Sequence, residues 1–317
     1  MAAAASSLRP LAVVTGSSAG FGLAAAAILL GKGVDVVYAV RTTALGDAAA
    51  AAAAKAAGAR AFVLRLDLAD LATVAPFAAA LERETAATHR LAFLINNAGI
   101  GIVTAGAPTT AQGFSKIVGA NHFGHAALFN ALLPRLRRDR TRVVAVSSML
   151  HAQGAVAPAG AALDGAAVTD GGLALQAYND SKLLNVMWAR EVQRRFSRDG
   201  ITATSLHPGN GMYTSIYRDS TLMRVLQYTL IPIFLPFMWL TGNFQTAHAG
   251  GAAEVAAAES SEAGAYFHVN SRVEPCAAAR DAADCERVWR ETQRALAAAA
   301  EKHGLPASLA CLEEGGA

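Results

Sequence analysis

The chain has 317 residues, 53% of them hydrophobic, and its 27 basic and 24 acidic side chains leave a formal charge of +3. That is ample for a packed core, and without a dense basic block it gives no support to nucleic-acid binding. The three cysteines, Cys276, Cys285 and Cys311, fall late and in no metal-ligand spacing, which sets aside a disulfide scaffold and a zinc site.

Met1 to Ser7 is too short to carry the apolar core of a cleaved signal, so a soluble cytoplasmic protein is expected. The first element is the apolar run Leu11 to Val14. It meets Thr15-Gly16-Ser17-Ser18-Ala19-Gly20-Phe21-Gly22 and then a helix-like stretch, Leu23 to Leu30. Strand, tight glycine turn and helix in that order suit a dinucleotide: glycines let the backbone approach a pyrophosphate, and the helix start offers unpaired N–H groups to the anion. The second strand, Val34 to Val40, ends in Tyr38-Ala39-Val40-Arg41. An NAD-binding unit places a carboxylate at this end for the ribose 2′-hydroxyl, whereas a 2′-phosphate wants a cation. Arg41 in place of an acid favours NADP(H) over NAD(H), and Asp35 lies too early in the strand to hold the ribose. Ala48 to Ala57 reads as a surface helix.

Further strands are expected at Ala61 to Leu66, Leu91 to Ile95, Arg142 to Val146, Ile201 to Leu206 and Ala265 to Val269, with a final helix near Ala282 to Ala300. Arg135 to Arg142 reads as the solvated end of a helix. Alternating strand and helix signals predict an α/β fold: one Rossmann-type, doubly wound parallel sheet in three layers, spanning residues 8–303 and followed by a tail, 304–317. The stretch Leu222 to Leu240 is strongly apolar, and Pro232 and Pro236 argue against a regular spanning helix. It reads as a substrate lid within a segment of about 215–245, a patch resting on a membrane surface, or part of a homodimer interface.

Chemistry is concentrated in Tyr178-Asn179-Asp180-Ser181-Lys182. Residues four apart share a helix face. A free phenol, with a pKa of about 10, is a poor acid at neutral pH unless a neighbouring cation favours the phenolate. Lys182 supplies that cation.

Taken with the T-G-x-x-x-G-x-G spacing at Thr15 to Gly22, the ordered motifs Leu66-Asp67-Leu68, Asn96-Asn97-Ala98-Gly99, Asn121-His122-Phe123-Gly124-His125, Ser147-Ser148, Tyr178/Lys182 and His207-Pro208-Gly209 make the chain resemble the short-chain dehydrogenase/reductases. The interval from Ser148 to Tyr178, the run Ala177-Tyr178-Asn179-Asp180-Ser181-Lys182-Leu183-Leu184-Asn185, and Gly264-Ala265-Tyr266-Phe267 are similar to the retinol dehydrogenase-like members. That resemblance implies a catalytic set of Asn121, Ser148, Tyr178 and Lys182. Tyr178 exchanges a proton with the substrate oxygen, Lys182 lowers its pKa and holds the nicotinamide ribose, Ser148 rather than Ser147 bonds the developing charge, and Asn121 organises a water. It also implies a cofactor set of Gly16, Ser18, Gly20, Phe21, Gly22, Arg41, Asp67, Leu68, Asn97, Ala98, Gly99, Tyr178, Lys182, Pro208, Gly209 and Thr214, and no metal. His207 is expected to shape the turn rather than act as a base.

Departures are Ala19, standing where NADP-users often carry a basic or small polar residue, and the threonine after Pro-Gly, which comes one place late as Thr214. Some relatives carry WW modules ahead of this domain, and the few residues before the first strand leave no room for them. The activity implied is hydride transfer between nicotinamide and an alcohol or carbonyl of a lipophilic substrate of the retinoid, steroid or fatty aldehyde class. A cofactor-bound scaffold with little turnover is the alternative, and a nucleotide-sugar epimerase fits the glycine spacing less well.

Overall fold

The computed structural model describes residues 8–54, 58–101, 109–155, 171–211 and 244–311. Strands β1 (Arg9–Thr15), β2 (Asp35–Val40), β3 (Ala61–Arg65), β4 (His89–Asn96), β5 (Arg142–Val146) and β6 (Thr202–His207) alternate with helices α1 (Gly20–Gly31), α2 (Thr43–Ala54), α3 (Val74–Thr85), the short α4 (Lys116–Val118), α5 (Gly124–Asp139) and α6 (Gly171–Phe196). A two-residue pair, β7 (Asn210–Gly211) and β8 (Phe244–Gln245), precedes α7 (Ala247–Glu259), β9 (Tyr266–His268), β10 (Ser271–Val273), α8 (Ala277–Arg280) and α9 (Ala282–His303).

Eight of the strands form one sheet in the order β10-β9-β6-β5-β4-β1-β2-β3, parallel throughout except for β10, which runs antiparallel at one edge. The sequence pattern did not announce β10: its three residues are exposed and lack the buried face that marks a strand. The inner strands are apolar throughout because helices cover both faces; all six residues of β2 are buried. Leu11, Val13, Leu94, Val143 and Ala203 point to the layer of α3, α5, α6 and α9. Val14, Val36, Ile95, Val144 and Leu206 point to that of α1 and α7. On the second face α1 and α7 pack closely because both are built of small residues: a Cβ on Gly251 would lie 2.6 Å from the Ala25 nitrogen.

The strand order reverses between β2–β1 and β4, so the carboxyl ends of β1 and β4 open a crevice, the usual ligand position of such sheets. Helix α9 starts on Asp281, whose side chain accepts the Asp284 N–H at 2.9 Å, and ends at Gly304 in the left-handed region. Beyond it the described chain returns to the core. Leu309 is fully buried, and Asn130 and Gln293 bond the Leu309 carbonyl and the Cys311 amide at 2.9 and 2.7 Å.

The opposite, amino-terminal edge holds saturated charges. Asp35, buried at the start of β2, accepts from Arg9 Nε and Nη2 (2.7 and 2.8 Å), from the Arg60 amide (2.6 Å) and from His89 Nε2 (2.8 Å). It stands at the first position of β2, at the end of the sheet opposite the glycine turn. The basic run Arg135 to Arg142 corrects the sequence reading. The helix does end there, at Arg140 in the left-handed region, but Arg135 and Arg142 are buried rather than solvated. Arg135 binds Asp139, Glu82 (2.7 Å) and the His89 carbonyl (2.7 Å), and Arg142 binds the Ser260 and Glu262 carbonyls. Long basic side chains enter a core when carboxylates and carbonyls take up their donors, which sequence spacing does not reveal. Among the described residues no helix is long and apolar enough to cross a membrane.

Candidate active site

The turn after β1 is shaped by glycine. Gly16 has φ +68°, and a Cβ there would sit 2.9 Å from Ala98 Cα; one on Gly22 would meet Asn97 Nδ2 at 2.3 Å. Gly20, φ +61°, faces open space. The result is a cradle of bare backbone at the start of α1, whose N-cap, Ala19, supplies no side-chain cap. An anion fits such a cradle, where neither Cβ nor capping side chain competes for the free N–H groups.

The segment after β4 closes the other wall. Asn97 Nδ2 donates to the Thr15 carbonyl at 2.7 Å, and the Ala98 amide donates to Thr15 Oγ1 at 2.9 Å. Gly99 lies where an added Cβ would be 3.5 Å from Lys182 Nζ. Phe21 rests on Gly250 of α7, and Ser18 is partly exposed on the turn. Arg41 is exposed just past β2, whose Ala39 carbonyl takes the Gly16 amide at 2.9 Å. Asp67 accepts the Ala69 amide at 3.0 Å, and Leu68 is buried against Gly124. Pro208 is buried, and Gly209, φ +94°, turns directly against Gln245, to which a Cβ would come within 2.2 Å. Thr214 and Leu222 to Leu240 lie outside the described residues. Their flanks, Asn210–Gly211 and Phe244–Gln245, pair with each other beside Gly209.

The sheet gathers the four polar candidates at one end. Tyr178 and Lys182 lie together on α6, with Lys182 Nζ 5.6 Å from the Tyr178 ring centroid and 3.2 Å from the Val146 carbonyl at the end of β5. Burial pushes the Lys182 ammonium down to about 8, against an opposing pull from Glu254. Ser147 is spent on the fold, its hydroxyl donating to the Lys182 carbonyl at 2.7 Å. Ser148 caps the following turn, accepting the Leu150 amide at 3.2 Å. Asn121 sits in a π turn, Gly119–Phe123, and its amide is fully engaged: Oδ1 accepts the Ile100 N–H (2.7 Å), and Nδ2 donates to the Ile100 carbonyl and to Ser181 Oγ, both at 3.0 Å. The side chain thus stitches two segments of the site together.

Sequence reasoning passed over His151, His125 and Glu254. His151, three residues after Ser148, accepts the Cys276 amide on Nε2 at 3.2 Å, so its proton is on Nδ1 and is donated to the Ser148 carbonyl at 2.8 Å. Glu254, on α7, is fully buried; burial pushes its carboxyl up to about 8, and neither oxygen has a hydrogen-bond partner among the described residues. Its only signal in the sequence is an acid in the middle of an alanine-rich helix, Ala247–Glu259. His207 is buried, with its pKa lowered by burial to about 4, and its ring lies against His268, 5.0 Å away between centroids. Met149 and Leu175, flanking Ser148 and Tyr178, are large apolar side chains left exposed.

Fold and cradle define a dinucleotide-binding α/β protein of the Rossmann type. Residues 10–161 match the family described as short chain dehydrogenase. The chain is 35% identical over 291 residues to dehydrogenase/reductase SDR family member 13 of Bos taurus, covering 90% of this chain and 72% of that one. It is 34% identical to retinol dehydrogenase 11 of Mus musculus over 68% of this chain and 66% of that one, and 31% identical to the WW domain-containing oxidoreductase of Gallus gallus over 90% and 67%. A crystal structure of an uncharacterized protein from Mycobacterium Paratuberculosis superimposes with a TM-score of 0.66 at 28% identity, over 92% of this chain and 96% of that one. A short-chain dehydrogenase from Sphingobium yanoikuyae in complex with NADPH shares the fold with a TM-score of 0.61 at 23% identity, over 88% and 93%. The chain belongs to the short-chain dehydrogenase family and is an NAD(P)-dependent dehydrogenase/reductase.

Proposed function

We propose that this protein is an NADP(H)-dependent oxidoreductase acting on the alcohol or carbonyl of a lipophilic small molecule, of the retinoid, steroid or fatty aldehyde class. The observation that carries the reading is the convergence of Tyr178, the buried Lys182 and Ser148 on the end of the sheet where the glycine cradle opens. The bound dinucleotide supplies the hydride donor or acceptor.

Tyr178 gives its phenolic proton to the substrate oxygen in reduction and takes it back in oxidation. Lys182 carries an ammonium below about pH 8 and favours the phenolate left behind. Ser148 donates to the same oxygen as charge grows. Gly16, Ser18, Gly20, Phe21 and Gly22 hold the pyrophosphate, Asp67, Leu68 and Asn97 to Gly99 the adenosine, and Pro208 and Gly209 the nicotinamide side. Arg41, exposed beyond β2, pairs with the 2′-phosphate. Asn121 serves through its hold on Ile100 and Ser181.

Met149 and Leu175 at the mouth support an apolar substrate, as does the composition of Leu222 to Leu240. The test is absorbance of the reduced cofactor with NADPH and a panel of retinal, steroid ketones and aliphatic aldehydes. Turnover confined to apolar carbonyls is expected. Binding of NADPH with no turnover on any of them would point instead to a scaffold.

A further inference from the structure

His125 lies beneath the site, 3% exposed, with a partner at each ring nitrogen: the Asn121 carbonyl 3.0 Å from Nδ1 and Thr15 Oγ1 2.9 Å from Nε2. A carbonyl oxygen only accepts, so Nδ1 bears the proton. Burial, together with the neighbouring Lys182 and His122, outweighs that bond and depresses the ring's pKa to about 3, which leaves Nε2 a bare lone pair. With the ring neutral, the Thr15 hydroxyl donates to Nε2 at 2.9 Å rather than to the Ile95 carbonyl, 3.4 Å away, while its oxygen accepts the Ala98 amide at 2.9 Å. On the far side Asn121 Nδ2 donates to Ser181 Oγ at 3.0 Å, and the Ser181 hydroxyl donates to the Tyr178 carbonyl at 2.7 Å. One path with every donor and acceptor assigned thus runs from the glycine turn through His125 and Asn121 to the backbone of Tyr178.

We propose that His125 is a positioning residue: a neutral Nδ1–H imidazole that fixes the Asn121 turn against the dinucleotide cradle and so holds the Tyr178 helix in register with it. The ring suits this task because donor and acceptor sit on opposite sides of one rigid group. Thr15 spans the short distance to the β4 loop, and Asn121, in its π turn, converts a main-chain contact into a side-chain grip on Ser181 of α6. The proposal rests on Tyr178 being the acid/base, and it predicts a division of effects that a general packing role does not.

The test has a part that needs no turnover. In the full-length wild-type chain, long-range ¹H–¹⁵N spectra of ¹⁵N-histidine-labelled protein should show His125 as the Nδ1–H tautomer, unchanged from pH 5 to 9; an Nε2–H tautomer or a titration in that range overturns the proposal. His125→Phe keeps the ring and removes both bonds, and should lower kcat on the order of tenfold while NADPH affinity changes less. His125→Asn, which restores an N–H near the Nδ1 position, should recover part of kcat. An unchanged kcat in His125→Phe, or equal losses in kcat and NADPH affinity, would also overturn it. A wild-type protein that binds NADPH but turns nothing over defeats the assignment of Tyr178, while the tautomer measurement still judges His125.

Discussion

The two edges of the sheet treat buried charge in opposite ways. At the amino-terminal edge Asp35 receives four hydrogen bonds, and Arg135 is answered by two carboxylates and a carbonyl. At the carboxyl edge Lys182 keeps one carbonyl contact and a tyrosine face, and Glu254 keeps no hydrogen bond among the described residues. A saturated charge is fixed in its ionised state and serves stability; an under-satisfied one is left near the point of losing or gaining its proton. Burial alone would raise the Asp35 carboxyl, yet its bonds from Arg9, the Arg60 amide and His89 hold it below the usual range. The same burial meets no such bonds at Glu254 and drives it up to about 8.

The contrast breaks most sharply at Tyr178. Tyr178→Phe should lower kcat about a thousandfold with NADPH binding kept, as measured by cofactor fluorescence titration beside steady-state rates. A variant that still turns over removes the acid/base from the carboxyl edge altogether.

Glu254→Gln tests the under-satisfied side through stability. Because the folded pKa lies above the unfolded one, the native state holds a proton that the unfolded chain releases, so wild-type stability falls as pH rises from about 4.5 to about 8. At about 1.4 kcal/mol per pKa unit, the gain from the glutamine should be a few kcal/mol at pH 8 and vanish near pH 4. Denaturant melts of both proteins across that window check the sign; parallel curves would mean that Glu254 is solvated or paired.

Asp35→Asn tests the saturated side and should act in the opposite direction, lowering the thermal midpoint by roughly 5–10 °C at neutral pH. The Asp35 contribution is present above the ordinary carboxylate range and is lost as pH falls through the lowered folded value, so wild type and variant should converge in acid. Calorimetry at pH 7 and pH 3 measures the convergence, and turnover per folded molecule should not change.

The smallest effect is expected at Arg41, exposed at the carboxyl end of β2. Arg41→Asp should move the ratio of NADPH to NADH affinity toward NADH by about tenfold or more through repulsion of the phosphate. An unchanged ratio shows that Arg41 is only a solvated strand end.

Much of the fold was legible because parallel strands buried on both faces write themselves as apolar runs. Arg142 to Val146 is a strand with those bounds, and β1, β2 and β3 fall within two residues of theirs. The glycine turn was legible because only glycine tolerates the positive φ at positions 16 and 20. Less visible were the partners of each polar group. The resemblance alone chose Ser148 over Ser147, and spacing could not reveal that the Ser147 hydroxyl bonds the Lys182 carbonyl. The bonds of the Asn121 amide to Ile100 and Ser181 were likewise not visible in the sequence. The Arg135 to Arg142 run looked solvated because its carboxylates and carbonyls, Glu82, Ser260 and Glu262 among them, are distant in the chain.

By itself the sequence determined the α/β alternation, the dinucleotide turn and the tyrosine–lysine pair, because each depends on local periodicity or on residues within a turn of one another. The tertiary structure alone decided which buried charges are satisfied. Asp35 meets Arg9 and His89, while Glu254 meets no donor among the described residues, only when strands and helices far apart in the chain are folded against one sheet. Hydrogen bonding and desolvation act over a few ångströms of space, whatever the separation along the chain.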